Sequence, residues 1–286
     1  MMHNLLEHKF QNLYRILQIK FPIELKKWIN VKKEYFILLE EDLENLLKKS
    51  VHIDVLRACY LSNFTKNFNI LETIYEIHFG SLLTRICDSI ELRVSKTRSK
   101  IGKNFDFKMK IANHSLNFEV ETRKDLFPFR GEKIPGTPIF SDQRETVDQR
   151  LFDRINKGNP ESNAIRDKIS EGSMQLPDGG FNFVALGQIF VASKEIALWA
   201  VKNALYGDLY HVSEISAPKK LQARRLPNGL FSGLPEFKKF NKLNGIIWFQ
   251  LERVGENIHS NYHIFLNRYA KYEIPDVIKK AFKSIF

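Results

Sequence analysis

The stretch Asn104-Phe105-Asp106-Phe107-Lys108, followed after a polar turn by Asn117-Phe118-Glu119-Val120-Glu121-Thr122, constrains the fold more than any other part of the chain. Side chains alternate across a strand, so Phe118 and Val120 share one face and Glu119 and Glu121 the other. That pattern calls for a sheet covered on one side and acidic on the other. Asn113-His114 is a short polar connection of the kind that closes a hairpin, so Asn104 to Ala112 and Ser115 to Thr122 are expected to pair. A hairpin partner brings Asp106 toward the same end as the two glutamates. Two or three converging carboxylates are hard oxygen ligands that suit Mg²⁺ or Mn²⁺. The same acids also fit an ordinary solvated strand face, and spacing alone leaves both readings open.

The elements around this hairpin follow from periodicity. Leu6, Leu13, Ile16 and Leu17 fall at helical spacing and Pro22 breaks the pattern. Lys33 to Lys49 is amphipathic, and its acids (Glu40, Glu41, Asp42, Glu44) precede its last lysines, which suits the helix dipole. A third helix is expected from Ile53 to Phe64. Asn69 as N-cap, with Glu72 at the third helical position, opens a further helix through about Ile86. Glu91 to Val94 reads as a strand. Residues 126–143 hold Pro128, Gly131, Pro135, Gly136 and Pro138 and read as an irregular loop. A helix from Asn163 or Ala164 to Gln175 ends at Leu176-Pro177-Asp178-Gly179-Gly180, and Phe181 to Leu186 is a compact apolar run of the buried-strand type. A helix at Lys194 to Ala204, a basic Pro/Gly-punctuated connection, strands at Ile246 to Leu251 and Tyr262 to Leu266, and a helix at Asp276 to Phe286 complete the chain. The expected organisation is a helical N-terminal region, 1–66, and an α/β core, 67–286.

Composition removes several classes. At 286 residues, with 43% hydrophobic and 12% aromatic, the chain can bury a core without disulfides and is too apolar to be disordered. No apolar run approaches the roughly 18 residues of a membrane span. Glu7, His8, Lys9 and Gln11 interrupt any N-terminal leader, so a cytoplasmic, soluble protein is expected. The two cysteines, Cys59 and Cys87, sit in apolar helical patterns and read as reduced, buried thiols rather than a staple or a zinc site. His211, His259 and His263 lack partners at zinc-ligand spacing. Kinase, dehydrogenase and serine-hydrolase readings lose support, because there is no phosphate-binding glycine loop, dinucleotide fingerprint or nucleophile elbow.

Positive charge is concentrated. From Arg93 to Lys110 seven basic residues meet a single acid, and the same holds from Lys219 to Lys242, so these stretches account for the net charge of +11. Concentrated charge suits a polyanion, since neutralised phosphates release counterions. Lys96, Arg98, Lys100 and Lys103 in the first stretch, and Lys219, Lys220, Arg224 and Arg225 in the second, are the candidate phosphate contacts. An ordinary solvated surface is the competing account.

From about Asn69 to Ala270 the order of elements and their residues resemble the PD-(D/E)xK, or restriction-endonuclease-like, nuclease superfamily. The resemblance rests on a helix with Glu72 and Glu76, a strand with Asp106, a strand with Glu119-Val120-Glu121, a helix with Lys168 and Gln175, and the strand Phe181 to Leu186. It implies an α/β (α+β) fold with a mixed sheet flanked by helices behind the helical N-terminal region. It also implies Mg²⁺- or Mn²⁺-dependent hydrolysis of phosphodiester bonds by an endonuclease, with DNA as the expected nucleic acid. Matched residue by residue, Asp106 is the first metal-binding acid and Glu119 the second, and one glutamate of the first helix, Glu76, can join them. Glu121 falls where the family has lysine. A glutamate can add a metal ligand but not the positive charge, so Lys124, Lys108 or Lys168 is expected to supply it, or the site has lost catalysis. In the second case the fold remains as a non-catalytic nucleic-acid-binding or assembly module. The N-terminal helices are the expected surface for a protein partner or a second copy.

Overall fold

The structure is a computed structural model that describes residue 6 and residues 8–66, 69–95, 104–124, 145–148, 159–189, 194–214, 220–226 and 228–286. Helices α1 (Gln11–Leu17), α2 (Ile23–Val31), α3 (Lys33–Lys48) and α4 (Ile53–Thr65) precede the sheet. They are followed by α5 (Ile70–Thr84), β1 (Ser89–Ser95), β2 (Asn104–Ile111), β3 (His114–Lys124), β4 (Glu145–Asp148), α6 (Asn159–Gln175) and β5 (Phe181–Ile189). The remainder is α7 (Lys194–Tyr206), β6 (Leu209–Glu214), β7 (Lys220–Arg225), a 3₁₀ helix (Pro235–Lys242), β8 (Leu243–Val254), β9 (Asn257–Leu266) and α8 (Asp276–Lys283).

A six-stranded mixed sheet in the order β1-β2-β3-β5-β8-β9 organises the molecule. β1, β2 and β3 are antiparallel neighbours, β3, β5 and β8 run parallel, and β9 returns antiparallel to β8. The expected hairpin is present. Ala112 and Asn113 both take positive φ, +46° and +70°, between the paired residues Ile111 and His114, the geometry of a two-residue turn that matches strand twist. The expected apolar run at 181–186 is the centre of β5, buried from Asn182 to Ile189.

Alternation along the strands sends side chains into two cores. Phe107, Phe118, Phe183 and Phe249 pack beneath α5, where Phe79 lies 5.6 Å from Phe118 and 5.4 Å from Phe249, ring centroid to ring centroid. Phe282 of α8 closes this side at 5.2 Å from Phe183. A Cβ at Gly80 would meet the Phe107 ring at 2.5 Å, so glycine there is what lets α5 settle on β2. Val184, Leu186, Ile246 and Trp248 face the opposite side, against Ile165 and Ile169 of α6 and Val201 and Leu205 of α7. Buried asparagines fix the parallel register: Asn117 donates to Asn182 Oδ1 at 2.9 Å, and Asn182 N–H donates to Asn244 Oδ1 at 2.9 Å. They thereby tie β3, β5 and β8 at their starts.

The N-terminal helices belong to the same continuous apolar core as α5 and the sheet, through Leu13, Ile16, Leu25, Phe36, Leu43 and Tyr60. Glu40 of α3 closes the start of α1 by accepting the Leu13 N–H at 3.1 Å, a cap supplied from 27 residues away.

Three local expectations change. Pro22 begins a helix instead of only ending one, because the residue before the first helical turn needs no N–H and its φ of −54° suits a helix start. Asn69 precedes α5 without a side-chain cap; its carbonyl instead accepts from the Thr73 hydroxyl at 2.8 Å. The basic connection after α7 contains β6 and β7, which form a second, three-stranded sheet in the order β4-β7-β6. Residues 126–143, expected as a loop, lie outside the described residues. Among the described residues no helix is long and apolar enough to cross a membrane.

Candidate active site

The hairpin holds its ladder only from Ile111↔His114 to Phe107↔Phe118. Past that pair, side chains take over from backbone. Glu119 Oε2 accepts the Asp106 N–H at 3.2 Å, and Asp106 Oδ2 accepts the Val120 N–H at 2.9 Å. Two buried carboxylates therefore fill the gap where β2 and β3 part, each held by a backbone donor of the other strand. Asp106 and Glu119 are only 3% and 4% exposed.

Glu76 reaches the same place from α5, and Arg93 links it to the hairpin. Arg93 Nη2 donates to Glu76 Oε1 at 2.8 Å and Oε2 at 3.0 Å, and Nη1 stands 2.8 Å from Asp106 Oδ1. The Tyr60 hydroxyl donates to Glu76 Oε1 at 2.9 Å, and its ring lies under the guanidinium at 5.9 Å. Arg93 Nη1 is at ion-pair distance from Asp106 Oδ1 but out of line for a hydrogen bond, so that buried oxygen accepts none.

On the opposite side α6 passes close to β3. Gly172 leaves so little room that a Cβ there would lie 3.1 Å from Glu121 Cγ and 3.3 Å from Glu119 Cγ. One turn earlier, Lys168 Nζ pairs with Glu121 at 3.5 Å and with Glu171 at 2.8 Å.

Electrostatics follow from this crowding. Burial, then the neighbouring Asp106, Glu121 and Glu76 charges, raises the Glu119 carboxyl, against the pull of Arg93. Burial and Asp106 raise Glu76. Asp106 is raised by burial and held down by Arg93 and by the Val120 N–H. Glu121 is raised by burial and lowered by Lys168. Arg93 is raised because Glu76 and Asp106 outweigh the burial that opposes its charge. Cys59, beside Arg93, is pushed up to about 11 by burial and stays a thiol. Asp106, Glu119, Glu76 and Glu121 thus raise one another's carboxyls, with Arg93 and Lys168 as the opposing charges.

The expected Asp106, Glu119, Glu121 and Glu76 are therefore neighbours, and Lys168 is the expected lysine that reaches them. Glu72, one turn before Glu76, is half-buried on the same helix. The side chain of Lys124 lies outside the described residues, as do Lys96, Arg98, Lys100, Lys103 and Lys219 and the side chains of Lys220 and Arg224. Arg225 has a structural attachment: it donates to Asn203 Oδ1 at 3.0 Å and the Gly207 carbonyl at 2.7 Å, fastening β7 to α7. Two components escape sequence reasoning. Arg93 is counted there only as one basic residue in a run, although its position on the strand next to the Asp106 strand is a usable signal. Gly172 has no signal, because its role exists only where α6 meets the sheet.

Among the described residues no three His, Cys, Asp or Glu side chains are gathered around one point as a metal centre requires. The donor set nevertheless fits a hard divalent cation, since it consists of carboxylate oxygens and includes a buried one, Asp106 Oδ1, that accepts no hydrogen bond.

A second polar cluster lies beneath β9. His78 is bonded through Nδ1 to Asp42 and through Nε2 to both Ser260 and Tyr262, each at 2.8 Å. Its order of groups resembles a nucleophile–base–acid relay, but His78 is 3% exposed and two hydroxyls share its Nε2. It acts as a buried bridge from α3 through α5 to β9.

Comparison with models of known families, with curated proteins and with solved structures found no match to this chain.

Proposed function

We propose that the chain is a divalent-metal-dependent nuclease that hydrolyses phosphodiester bonds, with DNA as substrate, on a restriction-endonuclease-like core. The observation that carries this reading is the pair of buried carboxylates, Asp106 and Glu119, filling the parting between β2 and β3 with Asp106 Oδ1 left without a hydrogen bond. The order helix, three antiparallel strands, helix, parallel strand around them supports the PD-(D/E)xK resemblance.

Asp106 and Glu119, joined by Glu76 or Glu121, are the residues that would hold Mg²⁺ or Mn²⁺. When bound, such an ion supplies Lewis-acid stabilisation of charge on the phosphate and lowers the pKa of a coordinated water. The chain's own residues fix the rest. Backbone donors at 106 and 120 orient the two carboxylates, and α6 closes their outer side at Gly172. Lys168, 38% exposed, carries a positive charge to the rim where a phosphate would enter, in place of the lysine that Glu121 replaces. In the reaction water forms the new P–O bond as the bond to the leaving oxygen breaks. One product ends in hydroxyl and the other in phosphate.

One observation favours the alternative, a binding module without chemistry: Glu121 at the usual lysine position is itself neutralised by Lys168. Cleavage of supercoiled plasmid and of labelled duplex under Mg²⁺ and Mn²⁺ separates the two. The nuclease reading expects cutting that Asp106→Asn and Glu119→Gln each reduce at least ~100-fold, the scale of a lost electrostatic contact in a transition state. Cutting that survives the double variant removes the site assignment, and binding without cutting under either ion supports the module.

A further inference from the structure

The proposed chemistry has no use for Arg93 where it now lies. Its backbone takes φ +50° in the middle of β1, a left-handed conformation uncommon for a residue other than Gly, Asn or Asp. Such positions gather at functional sites because the surroundings must hold them. The residue stands between the pairs Leu92↔Phe107 and Val94↔Phe105, across from Asp106. There its guanidinium meets two acids at once, Glu76 at 2.8 and 3.0 Å and Asp106 Oδ1 at 2.8 Å. Asp106 Oδ1 accepts no hydrogen bond from it. The arginine therefore offsets charge at that oxygen without satisfying it.

We infer that Arg93 is a resident countercation that a divalent ion must displace from Asp106, so that it sets the ion affinity of the site. This rests on the metal-dependent reading above. A guanidinium and a divalent cation placed against one carboxylate oxygen repel each other, so each weakens the other's hold on it. The side chain is 36% exposed, which leaves it a route outward. Once off the acids, a planar guanidinium is a bidentate partner for a phosphodiester. Arg93 then adds a second positive charge to that of Lys168 at the mouth of the site.

The test is Mn²⁺ binding to the whole chain, read as loss of the free-ion electron paramagnetic resonance signal. Wild type is compared with Arg93→Asn, whose side chain tolerates left-handed backbone, and with Asp106→Asn. Removal of a competing cation should tighten binding by about 5- to 150-fold, the range in which one bound group commonly alters the affinity for another. Cleavage at saturating Mn²⁺ should fall in the same variant, a pairing that a purely structural arginine does not produce. Arg93→Lys keeps a charge but loses the bridging fork, and serves if Arg93→Asn does not fold; it should tighten binding by at least about 2-fold, below that same range. Unchanged or weaker binding in the folded Arg93 variants, with binding still lost in Asp106→Asn, overturns the inference and leaves the nuclease reading standing. Absence of any Asp106-dependent Mn²⁺ binding, in wild type and variants alike, overturns both.

Discussion

Replacing Gly172 with valine tests whether α6 presses on the acids as described. A Cβ at that position would lie 3.1 Å from Glu121 Cγ, 3.2 Å from Val184 Cγ1 and 3.3 Å from Glu119 Cγ. Non-bonded carbons settle at about 3.5–4.0 Å, so the Cβ alone needs a few tenths of an ångström and the two methyl groups more. Val184 cannot yield: it is β-branched and fully buried in the middle of β5. Either the helix lifts or the two glutamates rotate. Overpacking of this kind costs about 1–3 kcal/mol, and the better helix propensity of valine returns only a few tenths. The expected net loss is therefore about 1–3 kcal/mol, read from urea unfolding by tryptophan emission, to which buried Trp248 contributes. Carboxylates in a working site tolerate displacement of only about 0.5 Å, so Mn²⁺ affinity should drop on the order of tenfold. Gly179 is the matched control, because a Cβ there meets nothing within 4 Å, and its valine variant should stay within about 0.5 kcal/mol of wild type. Equal stability and equal Mn²⁺ affinity in the two variants would refute the close approach of α6 to β3.

Other perturbations probe the scaffold and the partner. The Tyr75 hydroxyl donates to the Gln188 carbonyl at 3.0 Å and accepts the Leu251 N–H at 3.1 Å, so Tyr75→Phe should lose about 1–3 kcal/mol in urea unfolding by stranding buried backbone groups. No loss would mean that water or a shifted strand replaces the hydroxyl. Binding to duplex DNA should weaken steeply with salt, and changing exposed Lys238 and Lys239 together to glutamine should flatten the slope of log affinity against log salt. A slope that does not change leaves those lysines as ordinary surface. Arg225→Ala should instead lower the unfolding midpoint, because Arg225 fastens β7 to Asn203 and Gly207; a stable variant with weakened DNA binding contradicts that role.

The sheet was legible wherever local pattern and burial agree. Alternation at 104–122 and the apolar run at 181–186 mark three strands correctly, because each faces the apolar core they predict. Helix α6 was likewise readable from its glycine-rich stop. Elements that owe their existence to partners far along the chain were not: β6 and β7 form because they pair with each other, in a stretch whose prolines, glycines and charges read locally as loop. At the site, strand parity placed Asp106 and the two glutamates, and the resemblance added Glu76. Nothing local shows that β2 and β3 part at Phe107↔Phe118, that Arg93 adopts left-handed backbone, or that Lys168 reaches Glu121 across two elements. Those are properties of packing, and the charge that completes the site depends on them.

The central claim is that Asp106 and Glu119 together hold a divalent cation. Its most direct measurement is the anomalous difference density of a crystal grown with Mn²⁺. The account predicts a peak in contact with carboxylate oxygens of Asp106 and Glu119, with Arg93 turned away from Asp106. A fully soaked crystal with no peak there, and Arg93 still bridging Glu76 and Asp106, would contradict it.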